Sequence, residues 1–423
     1  MEAFPQIPDS VKLEHDVARI LQQQEEHGWR FDSRSAWELA STLRRELQET
    51  EELLRRQHPY VAGAEFTPKR NNKTQGYIEG ATFTRLKETN CTSRDHIAWI
   101  LQTYHGWKPT QMTATGKPII DEVILKDIGS EISTQFLKCL TVTKVLGMIS
   151  EGVNAWLKLC TNERIHHHCS VATNTFRCAH RNPNLGQVPS DPRFRELFIA
   201  SPRQCMVGAD LSGIELRMLA HYLARYDGGR YAKILLEDDI HQVNADRIGI
   251  SRRAVKTVTY AFLYGAGDQK IGLSYDPQLS ASSAKRKGKE IKEAFVSAID
   301  GLAELLAAIK KASERGYVKA IDGRKVILDS SHKALNYCLQ ASAGVIAKRW
   351  MVINQNNVQK LNLCCSQLGF IHDELQYECD PQHAKDLCSS LVLSALEAGE
   401  YYNLRIKIEA EATQGTTWKD THK

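Results

Sequence analysis

The 423-residue sequence has no apolar run approaching the roughly 18 to 20 residues needed to cross a bilayer. Its opening, MEAFPQIPDSVKLEHDV, lacks both the apolar stretch of a signal peptide and the Arg-rich, acid-poor character of a transit peptide. Among its 11 cysteines there is no C-x-x-C pair, and several fall on apolar faces. Cys388, for example, shares one helical stripe with Ala384, Leu387, Leu391 and Ala395. That usage points to reduced thiols in a cytosolic compartment and away from structural zinc. Internal repeats are absent. So is a large excess of either charge: the net value of +5 permits a polyanionic partner without demanding one.

What is present is an alternation of helical and strand-like regions. After HGWRFDS, Ala36, Ala40, Leu43, Leu47 and Leu54 recur at helical spacing, with Arg44, Arg45, Glu49 and Glu51 on the other faces and Asp32 or Ser33 as cap. From Pro59 to about Cys91 the pattern dissolves into a polar, basic, irregular segment, and helical signals return between Ser93 and Leu159. Short strands and polar turns follow from Ile165, ending at CMVGADL, an apolar strand that delivers Asp210. A helix is expected from Ile214 to about Tyr226, and residues 230–335 are mostly helical and rich in Lys and Arg. GFIHDELQYECD reads as a hairpin, and a helix and a last strand, LRIKIEAEA, close the chain.

One helix raises a specific question. In RRAVKTVTYAFLYGAG, Arg252, Lys256, Tyr260 and Tyr264 stand at a strict spacing of four and so span roughly 120° of one face. Val255, Val258 and Phe262 fall opposite, Ser251 suits the N-cap, and Gly265 suits a left-handed C-terminal position. Arg252 in the first turn opposes the helix dipole by about 0.3 to 1 kcal/mol, and a phosphate would offset that placement. Lys256 would reach a second phosphate, and the two tyrosines offer flat surfaces for a sugar and a base. Taken alone, the pattern fits a solvated amphipathic helix equally well.

Two carboxylates complete the picture. Asp210 ends an apolar strand and Asp373 sits at the apex of IHDE. Strand alternation turns His372 and Glu374 one way and Asp373 the other, so only one acid of that pair can directly face Asp210. Acids brought within a few ångströms repel unless cations lie between them. Magnesium, held by one or two carboxylates plus substrate phosphates, fits so sparse a ligand set, and two ions would clamp an in-line phosphoryl transfer. Singly, each aspartate fits a turn cap as well.

Together DLSGIELR, RRAVKTVTYAFLYGAG and FIHDELQYE resemble motifs A, B and C of the DNA polymerase I family (family A), in that order. The finer resemblance is to replicative polymerases of T-odd bacteriophages and related podoviruses. It runs through SVKLEH, SRDHIAWILQ, PNLGQVPS, ARYDGGRYAKILLEDDIH, IDGRKV and HKALNYCLQASAG. The resemblance implies an α+β, right-hand polymerase fold: a helical thumb over 1–160 with a short basic insertion at about 59–91, an antiparallel-sheet palm over 161–222 and 336–423, and helical fingers over 223–335. It implies that Asp210 and Asp373, with the Leu211 carbonyl, bind two catalytic Mg²⁺ ions, for which Mn²⁺ can substitute. Arg252, Lys256 and His241 would grip the incoming dNTP, Tyr260 would pack on its sugar and base, and Tyr264 would line the templating-base pocket. Glu215 matches the acid that crowds the sugar 2′ position and excludes ribonucleotides. His372 would lie near the primer terminus, while Arg177, Asn336 and Gln340 would read the minor-groove side of the DNA. The implied partners are primer-template DNA and dNTPs, with no membrane and a monomeric state. A separate exonuclease, helicase–primase or processivity factor is left open.

Three departures qualify the likeness. Members of this branch usually begin with a 3′–5′ exonuclease, and this chain starts where that domain would have ended, so no intrinsic proofreading is expected. The segment Pro59–Cys91 is short beside the thumb insertion with which one phage polymerase captures thioredoxin, so thioredoxin dependence is not expected, and Lys69, Arg70, Lys73 and Arg85 are expected to touch the DNA backbone. NTFR stands in place of Thr-Gly-Arg and puts Phe176 where glycine is usual. Beside it, IHHHC suggests a metal cluster, yet alternation along a strand argues against four ligands converging. Two other readings compete: a single-subunit RNA polymerase, disfavoured by Glu215 and Glu374, and a catalytically silent DNA-binding subunit, disfavoured by the intact Asp210 and Asp373.

Overall fold

A computed structural model describes residues 7–276 and 279–422. Of the expected thumb and fingers, residues 1–6 and 277–278 lie outside that description. The apolar CMVGADL segment forms the strand Cys205–Leu211, and it sits inside a four-stranded antiparallel sheet. Its neighbours are Glu374–Cys379 on one side and Ala410–Gly415 on the other, with Cys365–Ile371 at the far edge. Gly208 sits where a Cβ would come 2.2 Å from the Gln376 amide and 2.6 Å from the Thr421 carbonyl, so the close approach requires glycine.

Behind the sheet runs the helix Ala334–Lys360, which is buried on nearly every side along most of its length and accordingly shows no polar face in its sequence. It even buries Lys348, whose Nζ donates to Glu14 at 2.7 Å, while Arg349 donates to Asp9 at 2.6 Å. Such pairs fix register more than they add stability. They hold the first helix, Asp9–His27, whose Leu13, Val17, Ile20 and Leu21 enter the same core.

The chain divides into two compact units: one comprising residues up to Ser35 and from Leu159 onward, the other Ala36–Lys158. The expectation of one helical body over 1–160 is therefore modified, because the first helix belongs with the sheet. Within the smaller unit Leu54, Val61, Ile97, Leu101, Leu125 and Phe136 share a core. The segment expected to be irregular contains a two-stranded antiparallel ladder, Tyr60–Phe66 with Phe83–Glu88. Apart from Val61 its side chains are largely exposed on both faces, so no apolar alternation marked it. Arg85 from this ladder lies over the Phe66 ring at 4.8 Å.

The last strand also lies further along than expected, at Ala410–Gly415 rather than from Leu404. Side chains of the helix Ile214–Asp227 take the preceding backbone: Arg217 donates to the Lys407 carbonyl and His221 Nδ1 accepts from the Arg405 N–H. Ile406 and Ile408 still alternate inward.

Candidate active site

The strand register brings the two acid-bearing segments together. Glu374 pairs with Asp210 across the ladder, and the Leu211 N–H donates to the Asp373 carbonyl at 3.0 Å. His372 and Asp373 form the two-residue turn of a hairpin in which Ile371 faces Glu374. His372 takes φ 62°, a left-handed value that hairpin turns usually assign to Gly or Asn. A non-glycine residue held there stores strain of about 1–3 kcal/mol, which is common where a turn must present side chains.

The two neighbouring acids of IHDE have separate fates. Glu374 is buried and caged: Trp418 Nε1 and Gln376 Nε2 each donate to its Oε1 at 2.6 Å, and His422 Nδ1 lies 3.1 Å from Oε2. Asp373 is only half-buried. Burial and the Glu215 charge push its carboxyl up to about 6, against the opposing pull of Arg177. Asp210 remains accessible at the strand end, yet protein crowds it. Burial, then Asp373, Glu374 and Glu215, push it up to about 8. Mutual repulsion of this kind marks a place where a cation is wanted.

The ridge helix forms over Arg252–Leu263. The Ser251 side chain accepts from the Ala254 N–H at 3.2 Å, and Val255, Val258 and Phe262 are buried. At the other end Gly265, at φ 72°, closes a Schellman-type cap in which Gly265 N–H bonds Phe262 and Ala266 N–H bonds Ala261, each at 2.9 Å. The first-turn cation is offset within the protein: Arg252 Nε donates to Asp239 Oδ2 at 2.6 Å. Asp239 was not singled out from the sequence, although its position just before IHQ marks it as a helix cap, and it accepts from the His241 N–H at 3.0 Å. Both partners are well exposed, so the pair is weak and exchangeable. Lys256 is exposed on the same ridge. His241 is buried with its ring 6.1 Å from that of Tyr260, and burial lowers its pKa.

Glu215, in the first turn of the helix Ile214–Asp227, connects the ridge to the sheet. Arg177 forms an ion pair with it, and the Tyr264 hydroxyl donates to the same oxygen at 3.3 Å. Phe176, where the resemblance leads one to expect glycine, adopts φ 58°, a backbone value that glycine favours. The Arg324 guanidinium stacks over its ring at 4.2 Å, and the backbone passes so close to Gly344 that a Cβ there would lie 3.3 Å away. Arg177 is thereby delivered to Glu215 despite the substitution. Asn336 is brought to the site in another role as well, its Nδ2 donating to the Leu263 carbonyl at 3.0 Å. Gln340, one turn on, is half-buried, and His372 is exposed.

The family model of DNA polymerase family A matches residues 65–420. The chain belongs to DNA polymerase family A. It is similar to the DNA-directed DNA polymerases of Enterobacteria phage T3 and Escherichia phage T7, each 30% identical over 98% of this chain and 70% of the relative. Its fold matches the POL domain of Pol1 from M. smegmatis, solved with DNA primer-template and dNTP, at a TM-score of 0.78 and 21% identity, covering 96% of this chain and 70% of that one. In this polymerase the donors at the ends of the central strands are hard carboxylate oxygens whose burial and neighbouring charges raise their pKa values. That chemistry fits divalent ions of the magnesium class. No helix among the described residues is long and apolar enough to cross a membrane.

Proposed function

We propose that the polymerase extends a primer 3′ end with deoxynucleotides directed by a DNA template, through in-line phosphoryl transfer. The observation that carries this reading is the convergence of two repelling carboxylates, Asp210 and Asp373, with a ridge whose phenols feel the charges of Glu215 and Asp373. After burial, it is Glu215 and then Asp373 that raise Tyr260, and Glu215 leads the charges that raise Tyr264. Two Mg²⁺ ions, or Mn²⁺, would supply activation of the primer 3′ oxygen and stabilisation of the departing pyrophosphate. Asp210, Asp373 and the Leu211 carbonyl would hold them.

The residues divide the remaining work. Arg252 exchanges Asp239 for the triphosphate, and Lys256 and His241 take further phosphate oxygens. Tyr260 packs against sugar and base, while Glu215, clamped by Arg177 and Tyr264, fills the space that a ribose 2′-hydroxyl would need. A cleft of about 360 Å³ lined by Gly265, Ala266, His332, Leu335 and Asn336 adjoins the end of the ridge and suits a templating base. Arg177, Gln340 and Asn336 would sense the minor-groove edge, where acceptors are common to all correct pairs. His372 would meet the primer terminus. We read residues 161–222 and 336–423 as palm, joined by the first helix, 223–335 as fingers, and Ala36–Lys158 as thumb. The bacterial host cytoplasm is the place of action. Proofreading and thioredoxin capture are assigned no residues in this chain.

Primer extension by Asp210→Asn and Asp373→Asn tests the assignment. Both should lose about 10³-fold or more in rate while retaining primer-template affinity. Extension equal to that of the unaltered chain would end the enzymatic reading.

A further inference from the structure

A second group of metal-ligand side chains includes His180, whose ring packs against that of His372. The run His166–Cys169 alternates as a strand should. His166 Nδ1 lies 2.8 Å from the Glu25 carbonyl and His168 Nδ1 lies 2.8 Å from the Glu25 carboxylate. His167 and Cys169 turn inward and are buried. Alternation thus prevents the four contiguous residues from converging, but it places two of them on one face. The hairpin partner supplies a third. Cys169 pairs directly with His180, and donor atoms of His167, Cys169 and His180 all lie within 4.8 Å of one another.

The polar bonding of this pocket is incomplete. Cys169 Sγ lies 3.2 Å from His180 Nδ1, and Gln24 Nε2 lies 3.2 Å from His167 Nε2 and 3.5 Å from Cys169 Sγ. His167 Nδ1 and His180 Nε2 are buried without a hydrogen-bond partner among the described residues. Buried polar atoms are normally satisfied, and two orphans in one pocket point to a missing ligand. We propose that His167, Cys169 and His180 form a structural site for a transition-metal ion of the zinc class, its fourth position facing Gln24.

The donor chemistry separates this site from the carboxylates. A thiolate with two imidazoles selects zinc-class ions, whereas magnesium prefers oxygen. Zinc–sulfur and zinc–nitrogen bonds of about 2.3 and 2.0–2.1 Å imply a tetrahedral sulfur–nitrogen edge of about 3.6 Å. All three donor atoms lie within 4.8 Å of one another, a span that admits that edge. Burial disfavours the charged form of all three groups, lowering both imidazoles and pushing the Cys169 thiol up to about 12, so an ion would meet neutral imidazoles and would have to displace the thiol proton. Neutral imidazole is the form that binds metal. An ion here would pin the first helix, through Gln24, to the hairpin that carries Arg177. The His372 ring packs edge-on against His180 at 5.9 Å, so the same ion would brace the turn presenting Asp373.

The test uses the full, tag-free chain purified without chelator and assayed without DNA or nucleotide. Elemental analysis should find one zinc per chain that survives dialysis against magnesium buffer. After removal of zinc, Co²⁺ should give tetrahedral d–d bands and a thiolate-to-cobalt charge-transfer band saturating at one equivalent. Cys169→Ser should lose the charge-transfer band. Cys178→Ser, which alters another buried thiol near the same hairpin, should keep it. A folded wild-type chain with no stoichiometric zinc and no cobalt–thiolate band overturns the proposal, as does a band that survives Cys169→Ser. If Cys169→Ser fails to fold, the wild-type titration with its circular dichroism decides.

Discussion

The two clusters flanking His372 differ in donor chemistry, exposure and charge. Where the central strands end, Asp210, Asp373 and Glu215 present hard oxygens that repel one another near solvent. In the hairpin pocket His167, Cys169 and His180 present nitrogens and a thiol, buried and partly unbonded. A site that must admit and release a polyphosphate has to stay open, and it can carry unbalanced charge because its substrate and ions arrive with the complement. A site that only braces the fold can be closed, and closure favours neutral donors. Glu374 gives the same lesson at shorter range. One residue from Asp373, it is buried and takes hydrogen bonds from Trp418 and Gln376.

The sharpest way to break this contrast is to exchange the consequences of neighbouring acids. Asp373→Asn should abolish extension, by about 10³-fold or more, with the melting temperature nearly unchanged. Glu374→Ala leaves the Trp418 and Gln376 donors without their acceptor and should cost about 2–4 kcal/mol of stability. Its effect on turnover, measured on the folded fraction, should be much smaller. Matching kinetic losses in both variants would dissolve the distinction.

The oxygen cluster was legible in the sequence, whereas of the nitrogen–sulfur cluster only the HHHC run stood out, without its third member. Asp210, Asp373 and the ridge sit inside contiguous motifs whose strand and helix periods fix which way each side chain points. His180 lies 11 residues from Cys169, and only the register of a short hairpin pairs them. Asp239 shows the same limit, since its bond to Arg252 joins two helices. The Tyr60–Phe66 and Phe83–Glu88 ladder was missed because both faces are mostly exposed and no apolar alternation is needed there. The closing strand was displaced because side chains, one donating and one accepting and both invisible to periodicity, had taken the backbone of Arg405–Lys407.

Proton competition offers a test confined to the open cluster. With Asp373 raised to about 6 and Asp210 to about 8, protons and divalent ions contend for the same oxygens across the neutral range. The ion concentration giving half-maximal binding should fall as pH rises from 6 to 8, by up to about tenfold per unit. Calorimetric Mn²⁺ titration at fixed pH values measures it, and a flat profile would mean that the carboxyls are not the ligands.

A smaller effect is expected at Asp239, which holds Arg252 while no triphosphate is bound. Asp239→Asn keeps an acceptor for the His241 N–H and removes the competing charge. The exposed pair contributes on the order of 0.2–1 kcal/mol, so the KM for dNTP should drop by roughly 1.5- to 5-fold with kcat retained. An increased KM would show that Asp239 orients Arg252 for the phosphate instead of restraining it.

The smallest effect concerns stability and runs against the usual behaviour of aspartate. In the unfolded chain Asp210 ionises near 3.8, but in the folded, metal-free chain it keeps its proton to about 8. The folded state therefore binds more protons between those values, and this carboxyl lowers stability progressively as pH rises through the window. Asp210→Asn removes that cost. Metal-free Asp210→Asn and wild type should melt together near pH 4 and diverge toward pH 8, with the variant higher. Solvent access to the side chain screens the repulsion, so the gain should be about 1–3 °C. Saturating divalent ion should reverse the order, because only the wild type recovers binding energy from the ion. A variant less stable at every pH would mean that the Asp210 carboxyl contributes to the fold itself, and the contrast between an open, strained cluster and a closed, bracing one would lose its electrostatic basis.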